Sequence, residues 1–230
     1  MPTSLGTSVI DRAALRQLRV RMRGESGFSL MELIVAMGIF TIFIAIFLGA
    51  VVSLARGTSQ ARITAESTSG VLTVFQNLDR QIRYSDAINY PGVGPSGYRY
   101  IEFRTPASST VENVTKCTQW RFMPDKGRIE SRSWPDGLAT TATPWATKLT
   151  NVITVAGVNY PFGLTPATDV RKQTFLLTIN AGTAGTAGGT DIATKFIARN
   201  SSLSSPSNAD ANGDGVSDTP VCPRSTAVRP

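Results

Sequence analysis

The chain has 230 residues, 41% of them hydrophobic and 17% charged, which leaves room for one ordinary domain and an appendage and excludes wholesale disorder or a many-span membrane protein. Histidine is absent, so imidazole bases, imidazole metal ligands and Ser-His or Cys-His nucleophile pairs are all excluded together. The formal charge of +7 is partly local, and what remains looks scattered, without the dense basic run that nucleic acid binding needs.

Residues 1–27 are polar and carry Arg12, Arg16, Arg19, Arg21 and Arg23 against Asp11 and Glu25, a local net charge of +3. From residue 28 to residue 54 the chain is almost wholly apolar, and Glu32 is its only charge. As a helix this stretch would be about 40 Å long, enough to cross a bilayer with some tilt. The arginines before it predict that the leader stays in the cytoplasm and that the bulk of the chain lies outside. Gly38 and Gly49 inside the segment permit close helix packing or local loosening.

Helical periodicity continues past the apolar run. Val71, Phe75, Leu78 and Ile82 recur at one amphipathic stripe, while Asn77, Arg80, Gln81 and Arg83 lie away from it. Asn89-Tyr90-Pro91-Gly92 is a stop signal, because proline lacks a donor and biases the residue before it away from the helical region. One helix from near Phe28 to near Ala87 is therefore expected.

After Gly97 the texture changes to short β-like runs between turn signals. Strands are expected at residues 98–105, 116–123, 128–134, 151–158, 174–180 and 194–200, with Pro124-Asp125-Lys126-Gly127 as a hairpin turn. "AGTAGTAGGT" (181–190) is a low-complexity loop that lacks the Lys-Ser/Thr ending of a phosphate cradle. The whole reads as an α+β fold, a long N-terminal helix packed on a C-terminal antiparallel sheet domain. Its expected segments are a leader at 1–27, a transmembrane helix at 28–55, an amphipathic extension at 56–90, a β-rich globular domain at 91–200 and a loop-rich tail at 201–230.

Side chains that could carry chemistry are few. Cys117 and Cys222 lie beyond the apolar segment, so export would allow one disulfide closing a long loop, and two separate thiols are the alternative. Trp120, Phe122 and Trp134 fit sheet residues better than a ligand platform. Asp79, Asp86, Glu102 and Glu130 show no spacing that marks a catalytic pair. Asp210-x-Asn212-x-Asp214-Gly215-x-x-Asp218 opens like a calcium loop, with the Val216 carbonyl available, but Val221 stands where a bidentate Glu is expected. A solvated Asp/Gly turn is the competing description.

Residues 1–54 have three descriptions. A secretory signal would have a shorter apolar core with small residues after it. A plain signal anchor leaves Glu32 without a purpose, although a carboxylate in hydrocarbon costs on the order of 3 kcal/mol at midplane. The third is a resemblance. "SGFSLMELIVAMGIF" resembles the type III signal of type IV pilins and type II secretion pseudopilins. In that family a membrane peptidase cuts after Gly, here between Gly27 and Phe28, and usually methylates the new amino terminus. Ser29 and Leu30 match the usual residues, Met31 occupies a variable slot, and Glu32 is the fifth mature residue.

The resemblance implies that Glu32 meets the amino terminus of a neighbouring subunit in a filament. It also implies a prepilin peptidase, other pilin or pseudopilin subunits and an inner-membrane assembly platform as partners, with membrane lipid around the helix before assembly. "VFQNLDRQIRYSDAI", "YIEFRT" and the Trp-bearing hairpin look most like J-type minor pseudopilins and W-type minor pilins, which implies a non-enzymatic subunit of a tip complex. A filament subunit that binds DNA or a surface would instead need a clustered basic face. Some pseudopilins hold Ca2+ in a C-terminal loop, which bears on residues 210–218.

Overall fold

The computed structural model describes residues 29–155, 160–182, 190–222 and 229. These fall into two units, the first ending at Ala55 and the second beginning at Arg56. Helix α1, Leu30–Arg83, runs through both.

In the second unit, α1 buries Val71, Val74, Leu78 and Ile82 in the main core. The expected Phe75 is 38% exposed. At 100° per residue, Phe75 and Val74 stand on opposite margins of the stripe centred on Leu78. The smaller Val74 is enclosed, and Phe75 only tilts its ring against Phe196, 5.1 Å between centroids. The helix also ends earlier than expected, at Arg83 rather than near Ala87. The Ser85 hydroxyl and N–H both donate to the Ile82 carbonyl, which competes with a further helical turn. Asp86 N–H then bonds Arg104 O, and Ala87–Ile88 becomes strand β1. Arg199 N–H and the Asn200 side-chain amide donate to the carbonyls of Arg83 and Tyr84, satisfying the helix end.

Ten strands form two antiparallel sheets among the described residues. In the first, β3 (Arg99–Thr105) pairs with β1 and with β2 (Gly92–Val93), and on its other side the order continues through β4, β5 and β6, residues 116–123, 128–135 and 146–149. Strands β4 (Lys116–Met123) and β5 (Arg128–Pro135) form the expected hairpin. Its turn needs Gly127 at φ +53°, where a Cβ would stand 3.0 Å from the Val152 carbonyl oxygen. Strand β6 (Ala146–Leu149) completes this sheet. The second sheet pairs β9 (Thr174–Ala181) with β10 (Thr190–Ile197) on one side and β7 (Val152–Ile153) on the other, with β8 (Phe162–Thr165) also on β9.

Two expected strands require correction. Only Val152–Ile153 of 151–158 forms a strand, β7, and residues 156–159 lie outside the described residues. Strand β10 is Thr190–Ile197 rather than 194–200, because its register opposite β9 runs from Thr190 on Ala181 to Ile197 on Thr174. The side-chain amide of Gln173 bonds both the N–H and the carbonyl of Ile88, tying the two sheets together.

The pleat gives the first sheet two faces. Ile101, Phe103, Trp120, Phe122 and Ile129 belong to the main core with α1, and Trp120 Nε1 donates to Gln81 Oε1 at 3.1 Å. Cys117 and Trp134 alternate to the other face, where they form a separate cluster with Cys222.

Candidate assembly segment

In the first unit, Ser29 precedes the helix and caps it. Its Oγ accepts the Met31 N–H at 3.3 Å, and its carbonyl accepts Leu33 N–H at 3.1 Å. Glu32 follows in the first turn. Ser29-x-x-Glu32 is thus also the spacing of a capping box, in which the acid faces the positive end of the helix. Sequence inspection did not find this, although Ser followed three residues later by Glu before an apolar run was its signal.

Glu32 is exposed and has no hydrogen-bond or ion partner among the described residues. No described residue of this unit is buried. The helix is long and apolar enough to cross a membrane. Gly38 and Gly49 have open space where a Cβ would stand, so their small size serves no packing among the described residues. Gly27 and Phe28 lie outside the described residues.

A family model described as the prokaryotic N-terminal methylation motif matches residues 22–48. The chain carries the signature of the type IV pilin and pseudopilin family. No curated protein and no solved structure matches the chain. The pilin motif implies processing by a prepilin peptidase and assembly with other pilins, and it points to a structural subunit rather than an enzyme. The apolar helix fits a membrane-anchored pilin, and the long helix followed by antiparallel sheets is a pilin-like α+β fold.

In the globular unit, Cys117 and Cys222 are joined by a disulfide with Cα atoms 6.0 Å apart. The four acids without a catalytic spacing each meet an arginine. Asp79 pairs with Arg83, Asp86 with Arg104, Glu130 with Arg121 and Glu102 with Arg229. The Arg104 guanidinium is held above its usual range chiefly by its bonds to Asp86, against the opposing effect of burial. Arg132 is pushed below its usual range by burial first and by Arg121 second. The guanidiniums of Arg121 and Arg132 flank the Trp145 ring, at 3.9 and 4.3 Å from its centroid. Trp145 gave no sequence signal, since its partners Arg121 and Arg132 come from the strands β4 and β5.

The positive charge is less scattered in space than along the chain. Arg80, Lys116 and Lys148 line one groove of about 420 Å³, with Glu112 as the acid there, while the Arg132 guanidinium points to the opposite face of the sheet, onto Gln119 and Trp145.

The loop at 210–218 is closed by its own bonds. Asp210 accepts the N–H groups of Asp214 and Gly215, and Asp214 accepts that of Val216 at 2.8 Å. Asn212 Oδ1 also accepts Asp214 N–H, and Asp218 accepts Ala211 N–H. Gly213 and Gly215 have φ of +71° and +75°, as the tight path requires. The donors are all oxygens, which suits Ca2+, but Val221 contributes no carboxylate, and its N–H is engaged by Asn89. The Tyr90 hydroxyl is raised above its usual range by burial first, then by Asp210 and Asp218.

Proposed function

We propose that this chain is a minor pilin or pseudopilin, a non-enzymatic subunit of a type IV pilus-like or type II secretion filament, acting in a tip or initiation complex. The leader, residues 1–27, stays on the cytoplasmic side and is removed between Gly27 and Phe28. The globular unit lies outside the cytoplasmic membrane until the helix is drawn into the filament by an inner-membrane assembly platform.

The observation that carries this reading is an apolar helical segment, residues 30–55, with no buried residue and with a solitary carboxylate in its first turn. An acid at a helix start gains roughly 0.3–1 kcal/mol from the macrodipole. Burial in hydrocarbon costs about 3 kcal/mol at midplane and less near an end. The cap alone leaves a deficit at depth, so Glu32 needs a cation. Cleavage before Phe28 makes one, an α-ammonium about 6 Å along the helix. The glutamate of one subunit and the amino terminus of the next then offset each other, and a misregistered subunit leaves both unpaired.

Incorporation of Glu32→Gln and Glu32→Ala chains into filaments tests this reading. Both should enter poorly while being cleaved and anchored normally, and incorporation equal to that of the unaltered chain would refute the pairing.

The groove bearing Arg80, Lys116 and Lys148 favours a second reading, a filament subunit whose exposed unit binds an anionic ligand. That reading expects Lys116→Glu/Lys148→Glu to abolish salt-sensitive binding of a polyanion such as heparin by the full chain, and undiminished binding would end it.

A further inference from the structure

Glu102 is fully buried on β3, on the face of the sheet opposite the one that packs on α1. A buried carboxylate is stable only when charge and hydrogen bonds compensate it. Three groups converge on it. Gln119 Nε2 donates to Oε1 at 2.9 Å, Asn89 Nδ2 lies 3.4 Å from Oε2, and Arg229 takes both oxygens. Arg229 Nε donates to Oε1 at 2.7 Å and its Nη2 to Oε2, the parallel fork that guanidinium and carboxylate geometry allow. Arg229 itself is buried.

The walls are shaped for this side chain. A Cβ on Gly92 would collide with Nη1 of Arg229. A Cβ on Gly94 would stand 2.8 Å from the Arg229 carbonyl oxygen and 2.7 Å from the Tyr100 ring. Two glycines in and beside β2 thus leave the space that the guanidinium and its backbone fill. Asn89 adds a link to the disulfide, because its side chain also bonds Val221 N–H and the Cys222 carbonyl.

We propose that Glu102, Asn89, Gln119 and the Gly92–Gly94 wall form a guanidinium receptor, filled from within the chain by Arg229, that holds Arg229 on the sheet independently of the disulfide. The ligand class is a planar, forked cation. A lysine ammonium supplies the charge but not the two parallel donors. The proposal concerns the globular unit alone and does not depend on filament assembly.

The test uses the full chain in detergent micelles and reads the midpoint of thermal unfolding. Arg229→Ala strands a buried anion and should lower the midpoint by on the order of 10 °C. Adding Glu102→Gln to that variant should recover part of the loss, because the stranded charge is gone. Millimolar methylguanidine should raise the midpoint of Arg229→Ala by mass action, whereas methylammonium at the same concentration should not. Neither cation should move Arg229→Ala/Glu102→Gln. If Arg229→Ala does not fold, Arg229→Lys takes its place and should fall below the unaltered chain and respond to methylguanidine. An unchanged midpoint in either variant, or equal stabilisation of the single and double variants by methylguanidine, overturns the receptor.

Discussion

Replacing Cys117 and Cys222 together by alanine would open a loop that spans 105 positions of the chain. In the chain-entropy account a cross-link over a loop that long restrains the unfolded ensemble by roughly 4–5 kcal/mol. For a protein of this size each kcal/mol moves the thermal midpoint by about 2–4 °C. The double variant should therefore unfold roughly 10–20 °C below the unaltered chain. The Arg229–Glu102 pair does not replace this contribution, since it acts only in the folded state and leaves the unfolded chain as free as before. Near-ultraviolet circular dichroism of the full chain in micelles reads the transition through Trp134, which packs in the disulfide cluster. Reductant should bring the unaltered chain down to the midpoint of the variant and leave the variant where it is. A fall of less than about 3 °C, or equal sensitivity of both proteins to reductant, would refute the reasoning.

The centre and the margin of the α1 stripe should differ. Leu78→Ala empties a fully buried position and should cost about 2–5 kcal/mol, whereas Phe75→Ala, with its ring partly in solvent, should cost markedly less when both are measured by chemical denaturation. Asp214→Ala removes the acceptor of Val216 N–H and of the Asn212 amide and should destabilise the chain by about 1 kcal/mol. Running that pair with calcium and with chelator separates the two descriptions of the loop. A calcium-dependent rise seen only with Asp214 present makes it a metal site, and equal midpoints make it a self-closed turn.

The fold was legible wherever one residue pattern dominated. The apolar run, the stripe through Leu78 and Ile82 and the β4–β5 hairpin each follow from local periodicity and turn chemistry. The end of α1 was misjudged because the proline signal at Pro91 is strong along the chain, while Arg104 offers β1 a backbone partner that only the folded sheet supplies. The two-residue strands β1, β2 and β7 are too short to carry a period. The assembly motif was legible because processing needs its residues contiguous. The Glu102–Arg229 pair was not, since 127 positions separate its members. The basic groove escaped notice for the same reason, its cations coming from α1, β4 and β6.

The central claim is that this chain is cut as a pilin and presents a charged amino terminus four residues before Glu32. Intact-mass and N-terminal peptide measurement of the protein recovered from the membranes of cells that hold a prepilin peptidase tests it most directly. The account predicts a chain that begins at Phe28 and carries one added methyl group on its amine. A retained leader, or a first residue other than Phe28, would contradict it.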